Sequence, residues 1–447
     1  MQPGIQSSMS KKKEATEIFL SAVESVMPEN LIRKNLSVRD GKLTYRDICL
    51  NLADFEHIYL VGFGKASAQM ARTFEELLGD WLTGGHILTK YHHSVKLSKC
   101  SITEAGHPYP DKNGVDGTLR IRELAELATE RDLILVLISG GGSSLLTDLP
   151  GILSLEALAS LNKLLVHSGA TIQEINSIRK HLSELKGGQL ARIAYPAKLI
   201  SFLISDVVGD APDVIASGPT VADPSTYERA LQILHKYRLQ KLVSSNILHH
   251  LECGKLGKIP ETVKAGDPCL MRTRNNVLGN NEVALDRAKM VATALNYEAK
   301  IVSRRVEGDV AEVAAYLFRE INSYREAAGK RKIALLFGGE PTVQIQGSGK
   351  GGRNQHLALL MAEKMKGSMG ITFLAAGTDG SDGPTDATGA VCDGSTFQHA
   401  LNLGLKPYEM IANFDSYTFF EKTGEHLKTG PTYTNVMDLM IVLLDFS

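Results

Sequence analysis

Residues 133–146, LILVLISGGGSSLL, constrain this chain more than any other stretch. Positions 133–138 are apolar without exception, the pattern of a strand covered on both faces of a parallel sheet. The run then stops in a loop of glycine and serine. Gly140, Gly141 and Gly142 let backbone N–H groups converge on one point without Cβ interference, and Ser139, Ser143 and Ser144 add hydroxyls. A helix expected to start near Leu145 would turn its N-terminal dipole and unpaired N–H groups toward a phosphate or carboxylate. A tight strand–helix turn without a ligand has the same pattern, so the neighbouring segments must decide.

A chain of 447 residues is long enough for two or three domains, each with its own core. Hydrophobic content of 43% and charged content of 22% are those of an ordinary soluble globular protein. A net charge of −1 removes any general electrostatic case for nucleic acid or a membrane surface and leaves room for an anionic small molecule. Cys49, Cys100, Cys253, Cys269 and Cys392 are odd in number and scattered, which suggests neither a disulfide framework nor a zinc site. A reducing, cytoplasmic setting fits them best. No apolar run approaches the roughly 20 residues that span a bilayer. The opening MQPGIQSSMSKKK lacks the apolar core of a secretory signal, and Met9 is a candidate start. Residues 1–10 are therefore expected to be a leader outside the fold. Two domains are expected over 11–253 and 254–447, with the Gly/Pro-rich stretch 254–268 as the boundary.

Residues 14–26 carry apolar positions at helical spacing, with Pro28 following as a stop. Next, a strand over 58–61 runs into the turn Gly62-Phe63-Gly64-Lys65 and a helix from about Ala66. Lys65 is then either a solvated side chain or an ammonium beside a phosphate, a frequent arrangement in phosphoryl transfer. After a strand over 85–89, the turn-rich AGHPYPD presents His107 as a base, a ligand or merely a partner of nearby backbone. Helices are expected over 115–127 and 155–167. Arg179, Lys180, His181 and Lys186 then crowd a helical segment ended by Gly187-Gly188, either as a solvated face or as a screen for an anion. A strand over 199–204 finishes in SDVVGDAPD, whose acids suit Mg²⁺, a hard cation taking carboxylate, water and substrate oxygens. Asp206, directly at the strand's end, is the preferred metal residue.

Residues 227–251 are helical in pattern, and a second α/β unit follows: helix 281–295, strand 299–302, helix 310–324 and strand 333–337. The turn Gly338-Gly339-Glu340, a short strand over 342–346 and a glycine-dense loop then deliver Arg353 and Asn354 to a helix start. An arginine there can hold a phosphoryl group or carboxylate bidentately. The strand 371–375 ends among Asp379, Asp382 and Asp386, of which Asp379 and Asp382 are candidates to complete a metal shell, and a last strand begins at Leu439.

In parallel sheets ligands bind outside the strands' carboxyl ends, where all of these loops fall. The expected architecture is therefore α/β, with two α/β domains, each a mostly parallel sheet flanked by helices, and a cleft between them. The inventory of glycine cradles, one lysine, one arginine and many aspartates lacks a nucleophile–base pair, which points to phosphoryl transfer. There is no GxxxxGK[ST] and no protein-kinase loop set. Gly64, the residues of the 139–144 loop, Gly339, Glu340 and Asn354 are the candidate nucleotide contacts.

GFGKAS, AGHPYPD, SGGGSSLL, RKHLSELKGGQLA, SDVVGD with IASGPTVADPS, GGEPTV, GKGGRNQ, GTDGSDGPTDATGA and TGPTYTNVMDL resemble, in the same order, the motifs of the class II glycerate kinases, whose C-terminal part is the MOFRL domain. The resemblance runs from about Glu14 to the end. It implies ATP-dependent phosphorylation of D-glycerate to 2-phosphoglycerate with Mg²⁺, between two α/β domains. The family's active-site lysine falls on Lys65 and its arginine on Arg353. The chain departs from the family pattern in two places: His356 stands where a glutamate is usual, and Phe414 opens what is usually NDS. Two other functions stay open, hydride transfer to hydroxypyruvate from a nicotinamide cofactor and non-enzymatic metabolite binding. Without a clear GxGxxG and downstream acid, the first has little physical support. The oligomeric state is also open, a homodimer included.

Overall fold

The computed structural model describes residues 3–151, 153–329 and 331–446, which divide into two units, one of residues 31–278 and one of residues 1–30 with 279–447. The boundary therefore falls at 278/279 rather than 253/254, because the segment after 254 returns to the first sheet as its last strand. Residues 1–2 of the expected leader lie outside the described residues. From Pro3 onward the chain is already helical, in a helix spanning Pro3–Ser25.

In the 31–278 unit a three-stranded antiparallel meander comes first: β1 (Ser37–Arg39), β2 (Lys42–Tyr45) and β3 (Ile48–Asn51). None of it was legible, since its strands are only three or four residues long. A six-stranded sheet follows, made of β4 (Ile58–Phe63), β5 (Gly84–Lys90), β6 (Cys100–Ala105), β7 (Leu133–Ile138), β8 (Lys198–Ile204) and β9 (Thr273–Gly279) in the order β6-β5-β4-β7-β8-β9. Pairing from β6 through β8 is parallel throughout, and β7 is buried at every position. Both faces are covered. Val136 and Ile138 join a core with Ile121 and Leu190, while on the opposite face Phe202 meets Phe74 and Tyr45 with ring centroids 5.2 and 5.5 Å away. That two-sided burial is why β7 shows no polar alternation.

The helical pattern over 227–251 is carried by two helices, Tyr227–Lys236 and Ser245–Lys255. Arg238 takes a left-handed φ of 56°, and Ser244 accepts the N–H of Ile247 to cap the second helix. Apolar spacing continues across the break because both helices face one core containing Ile178, Leu234 and Leu251.

The other unit holds β10 (Glu298–Val306), β11 (Lys332–Gly339), β12 (Ile371–Gly377), β13 (Gly389–Asp393), β14 (His426–Leu427) and β15 (Asp438–Asp445), in the order β10-β11-β15-β12-β13-β14. Here the expectation of a mostly parallel sheet fails. Only β10 and β11 pair parallel; β15 is inserted antiparallel between β11 and β12, and β13 and β14 continue antiparallel. A strand buried on both faces reads alike in either direction, so its sequence does not reveal polarity. The expected strand over 342–346 is reduced to a single bridge from Thr342 to Asp309.

The first helix belongs to this second unit. Lys11 pairs with Asp445 at 2.9 Å, Lys12 with Asp393 at 3.0 Å and with Glu425, and the hydroxyl of Thr434 donates to the carbonyl of Val26. Lys12→Ala leaves two largely buried carboxylates without their cation. It is expected to cost about 3 kcal/mol, read as a lower denaturation midpoint of the full-length protein.

Candidate active site

β4, β7 and β8 lie side by side and parallel, so the loops at their carboxyl ends share one edge of the sheet. They bring Lys65, the 139–144 loop and Asp206 to that edge. The loops of β4 and β7 touch through backbone. Gly64 has a φ of 129°, and a Cβ there would lie 2.3 Å from the Ser139 hydroxyl oxygen. The N–H of Lys65 donates to the carbonyl of Gly140 at 2.9 Å, and that of Ala66 to Ser139 Oγ at 3.0 Å.

The helix after the 139–144 loop is a single turn, Gly142–Leu145. A helix that short has no macrodipole to offer, so the expected dipole contribution falls away and the glycine backbone with its flanking cations remains. The hydroxyls are also spent locally. Ser139 accepts from Ala66, Ser144 donates to the carbonyl of Gly141 at 3.1 Å, and Ser143 shares a 2.7 Å hydrogen bond with Ser217.

Gly141 has a φ of 80°, and a Cβ there would meet the His107 ring at 2.8 Å and Lys65 Cγ at 3.4 Å. Lys65 and His107 thus flank one glycine. Burial first, then the charges of Lys65, Lys90 and His93, push the His107 imidazole down to about 4, so it is neutral at pH 7. Sequence reasoning missed Ser217 and Asn176, whose Oδ1 accepts from Ser217 at 3.4 Å. Asn176 arrives on the helix Ile172–His181, and Ser217 through backbone strain, with Ala216 and Ser217 at φ of 50° and 63°, which no residue type at those positions announces.

The other unit gathers its candidates around β15. Asp438, the first residue of that strand, is paired with Gly339 at the end of β11 and with Gly377 at the end of β12. Arg353 donates to both oxygens of Asp438, at 2.6 and 3.0 Å, and to Glu340 at 2.9 Å. Burial opposes the guanidinium's charge, but Asp438 and Glu340 outweigh it and hold Arg353 above its ordinary range. Asp438 carried no signal beyond its place in a motif.

Asp382 is buried beside the N-terminus of the helix Arg353–Lys364, where its two oxygens accept the N–H groups of Asn354 and Gln355 at 3.0 and 2.8 Å. It caps that helix from a distant loop, and Asn354 is engaged by the same carboxylate. Burial raises Asp382 to about 6 despite those bonds. Asp379 accepts from the backbone and hydroxyl of Ser381. Among the described residues no three His, Cys, Asp or Glu side chains are grouped as a metal cage.

Residues 14–252 match the model described as a domain of unknown function (DUF4147), and residues 333–438 match the MOFRL family. A D-glycerate 2-kinase from Thermotoga maritima is 40% identical over 440 residues, 97% of this chain and 99% of that protein. The chain belongs to the MOFRL-type glycerate 2-kinase family. A human glycerate kinase is 37% identical, with 98% of this chain and 94% of that protein aligned. The crystal structure of glycerate kinase from Thermotoga maritima superposes with a TM-score of 0.86 at 38% identity, over 98% of this chain and all of that one.

Within the glycerate 2-kinase pattern, the two departures of this chain touch each other. The rings of His356 and Phe414 stack at 4.5 Å and 14°. His356 is buried, its Nδ1 has no partner, and burial pushes it down to about 4; Phe414 sits at a left-handed φ of 58°, a conformation asparagine adopts more easily.

Two predictions follow from these charges. Arg353→Ala strands the buried carboxylate of Asp438 and is expected to destabilise the fold by about 3–5 kcal/mol, so its activity must be read beside its melting curve. The second concerns pH. His86, His107 and His356 are each held near 4, below the ordinary 6.5. Between about pH 6.5 and 4 the unfolded chain binds protons that these rings refuse, so stability falls with acidification. Asp382, raised above its ordinary 3.8, acts in the opposite sense between about pH 6 and 4 and offsets only part of the loss. Denaturation midpoints at pH 7, 6 and 5 should decline stepwise; a flat profile would contradict three buried neutral imidazoles.

Proposed function

We propose that this chain transfers the terminal phosphoryl group of ATP to the 2-hydroxyl of D-glycerate, giving 2-phosphoglycerate. The observation that carries the reading is the convergence of Lys65, the glycine-rich 139–144 loop and Asp206 on three adjacent parallel strand ends, in a chain aligned nearly end to end with a D-glycerate 2-kinase.

Phosphoryl transfer asks little covalent chemistry of a protein; it asks for position and for positive charge where oxygens accumulate it. In this reading the backbone of Gly140, Gly141 and Gly142 cradles the ATP phosphates beside Gly64, and the Lys65 ammonium meets the transferring phosphoryl. His107, neutral and across Gly141 from Lys65, can accept a hydrogen bond without adding charge.

Mg²⁺ commonly takes one or two carboxylates together with waters and substrate phosphates, and Asp206 at the end of β8 supplies a carboxylate of that kind. Bound there, the ion would neutralise charge on the phosphate oxygens. Asp382 does not fit a ligand role, since both its oxygens are committed to the helix cap. In the other unit Asp438 occupies one edge of Arg353, and the opposite edge pairs with Glu340, which is 44% exposed and can yield to an incoming carboxylate or phosphoryl oxygen. Gly339 and Asn354 support that corner.

No helix among the described residues is long and apolar enough to cross a membrane. The cysteines of the chain are all free thiols, and a reducing cytoplasmic setting is proposed on that ground.

Purified protein with D-glycerate, ATP and Mg²⁺ should release ADP, and NMR of the product should show phosphate on the 2-position. Oxidation of NADH with hydroxypyruvate in the absence of ATP would favour the reductase alternative instead. Lys65→Ala should lower turnover at least a hundredfold, on the order of 3 kcal/mol, with a cooperative melting transition retained. Near-normal turnover would remove Lys65 from the mechanism.

A further inference from the structure

The helix Ile172–His181 and the segment after it carry five basic side chains between positions 179 and 192, and four of them face a carboxylate within the fold. Lys180 lies 3.2 Å from Asp223 and 3.5 Å from Asp213, His181 2.8 Å from Glu261, Lys186 3.6 Å from Asp148, and Arg192 3.1 Å from Asp267. Arg179 is the exception. Among the described residues it has no carboxylate partner, and its Nη2 donates to the carbonyl of Ser143, 3.0 Å away in the glycine-serine loop.

That placement is costly for the protein alone. Burial pushes the Arg179 guanidinium down to about 10. Burial first, with the Arg179 charge adding to it, pushes neighbouring Lys186 down to about 8 against the pull of Asp148. A partly buried guanidinium without a counter-charge is a ready partner for an anion supplied from outside the fold. Its planar fork has donors beyond the one spent on Ser143, in the geometry that matches two oxygens of a carboxylate or a phosphate. One helical turn back, Asn176 reaches the same loop through Ser217 and Ser143, so this face of the helix is aimed at the loop.

We propose that Arg179 binds an oxyanion of one of the two substrates at the 139–144 loop, either the carboxylate of the acid acceptor or a phosphate of the nucleotide. The proposal rests on the kinase reading. It adds to that reading a second cation, on the side of the loop reached from the helix rather than from β4.

The test is steady-state kinetics on full-length wild type, Arg179→Gln and Arg179→Lys, with KM for D-glycerate and for ATP measured separately and a melting curve for each protein. Arg179→Gln should raise one KM at least tenfold and leave the other within about twofold. A rise for D-glycerate identifies the carboxylate, and a rise for ATP identifies a phosphate. Arg179→Lys, which keeps the charge and loses the fork, should fall between wild type and Arg179→Gln, and it decides the matter if the glutamine variant does not fold. Both KM values within twofold of wild type in a folded variant would overturn the proposal. If the wild type shows no turnover, the kinase reading fails on its own. Calorimetric titration of D-glycerate and of inorganic phosphate into wild type and Arg179→Gln then decides separately: binding lost in the variant supports Arg179 as an anion site, and equal binding overturns it.

Discussion

An approach of two backbones too close for any Cβ organises the reactive edge of the parallel sheet. Gly64 rests against Ser139, and the amides of Lys65 and Ala66 bond into the loop after β7, so the ends of β4 and β7 behave as one piece. The position of Lys65 is thereby set by main chain, which is stiffer than a side-chain contact. Gly141 extends the same device, leaving space that the His107 ring and the stem of Lys65 share. A side chain at these points would collide with the His107 ring and the stem of Lys65.

The unit around β15 solves a related problem with charge. Because β15 runs against β11 and β12, it begins at the edge where they end, and Asp438 is delivered between Gly339 and Gly377. A buried carboxylate there requires a partner, and Arg353 supplies it in a two-point grip while the first turn of its own helix is held by Asp382. Arg353 therefore serves the architecture before it serves any ligand. The glycine-dense loop preceding it pointed to a ligand-binding arginine, and the ion pair with Asp438 adds a structural role to that reading.

The stacked pair of His356 and Phe414 teaches a similar lesson. Seen one at a time, they are two unrelated deviations from the pattern of a glycerate 2-kinase. In space the two rings are one stacked contact between residues nearly sixty positions apart.

The longer buried strands and the turns that end them were legible in local sequence. A continuous apolar run such as 133–138 reads as a buried segment, and glycine beside serine after it reads as a turn, whose amides at Gly142 and Ser144 bond back within the loop. Burial, however, is symmetric in strand direction, so the antiparallel insertion of β15 could not be read from residues 438–445, nor could the short strands of the opening meander, whose pairing rather than composition defines them. The same limit applied to charge. Arg179, Lys180 and Lys186 look alike in a row of letters; which of them meets a carboxylate depends on Asp213, Asp223 and Asp148, brought up by other elements. Electrostatic pairing is a property of distance, and distance between remote positions exists only once the chain has folded.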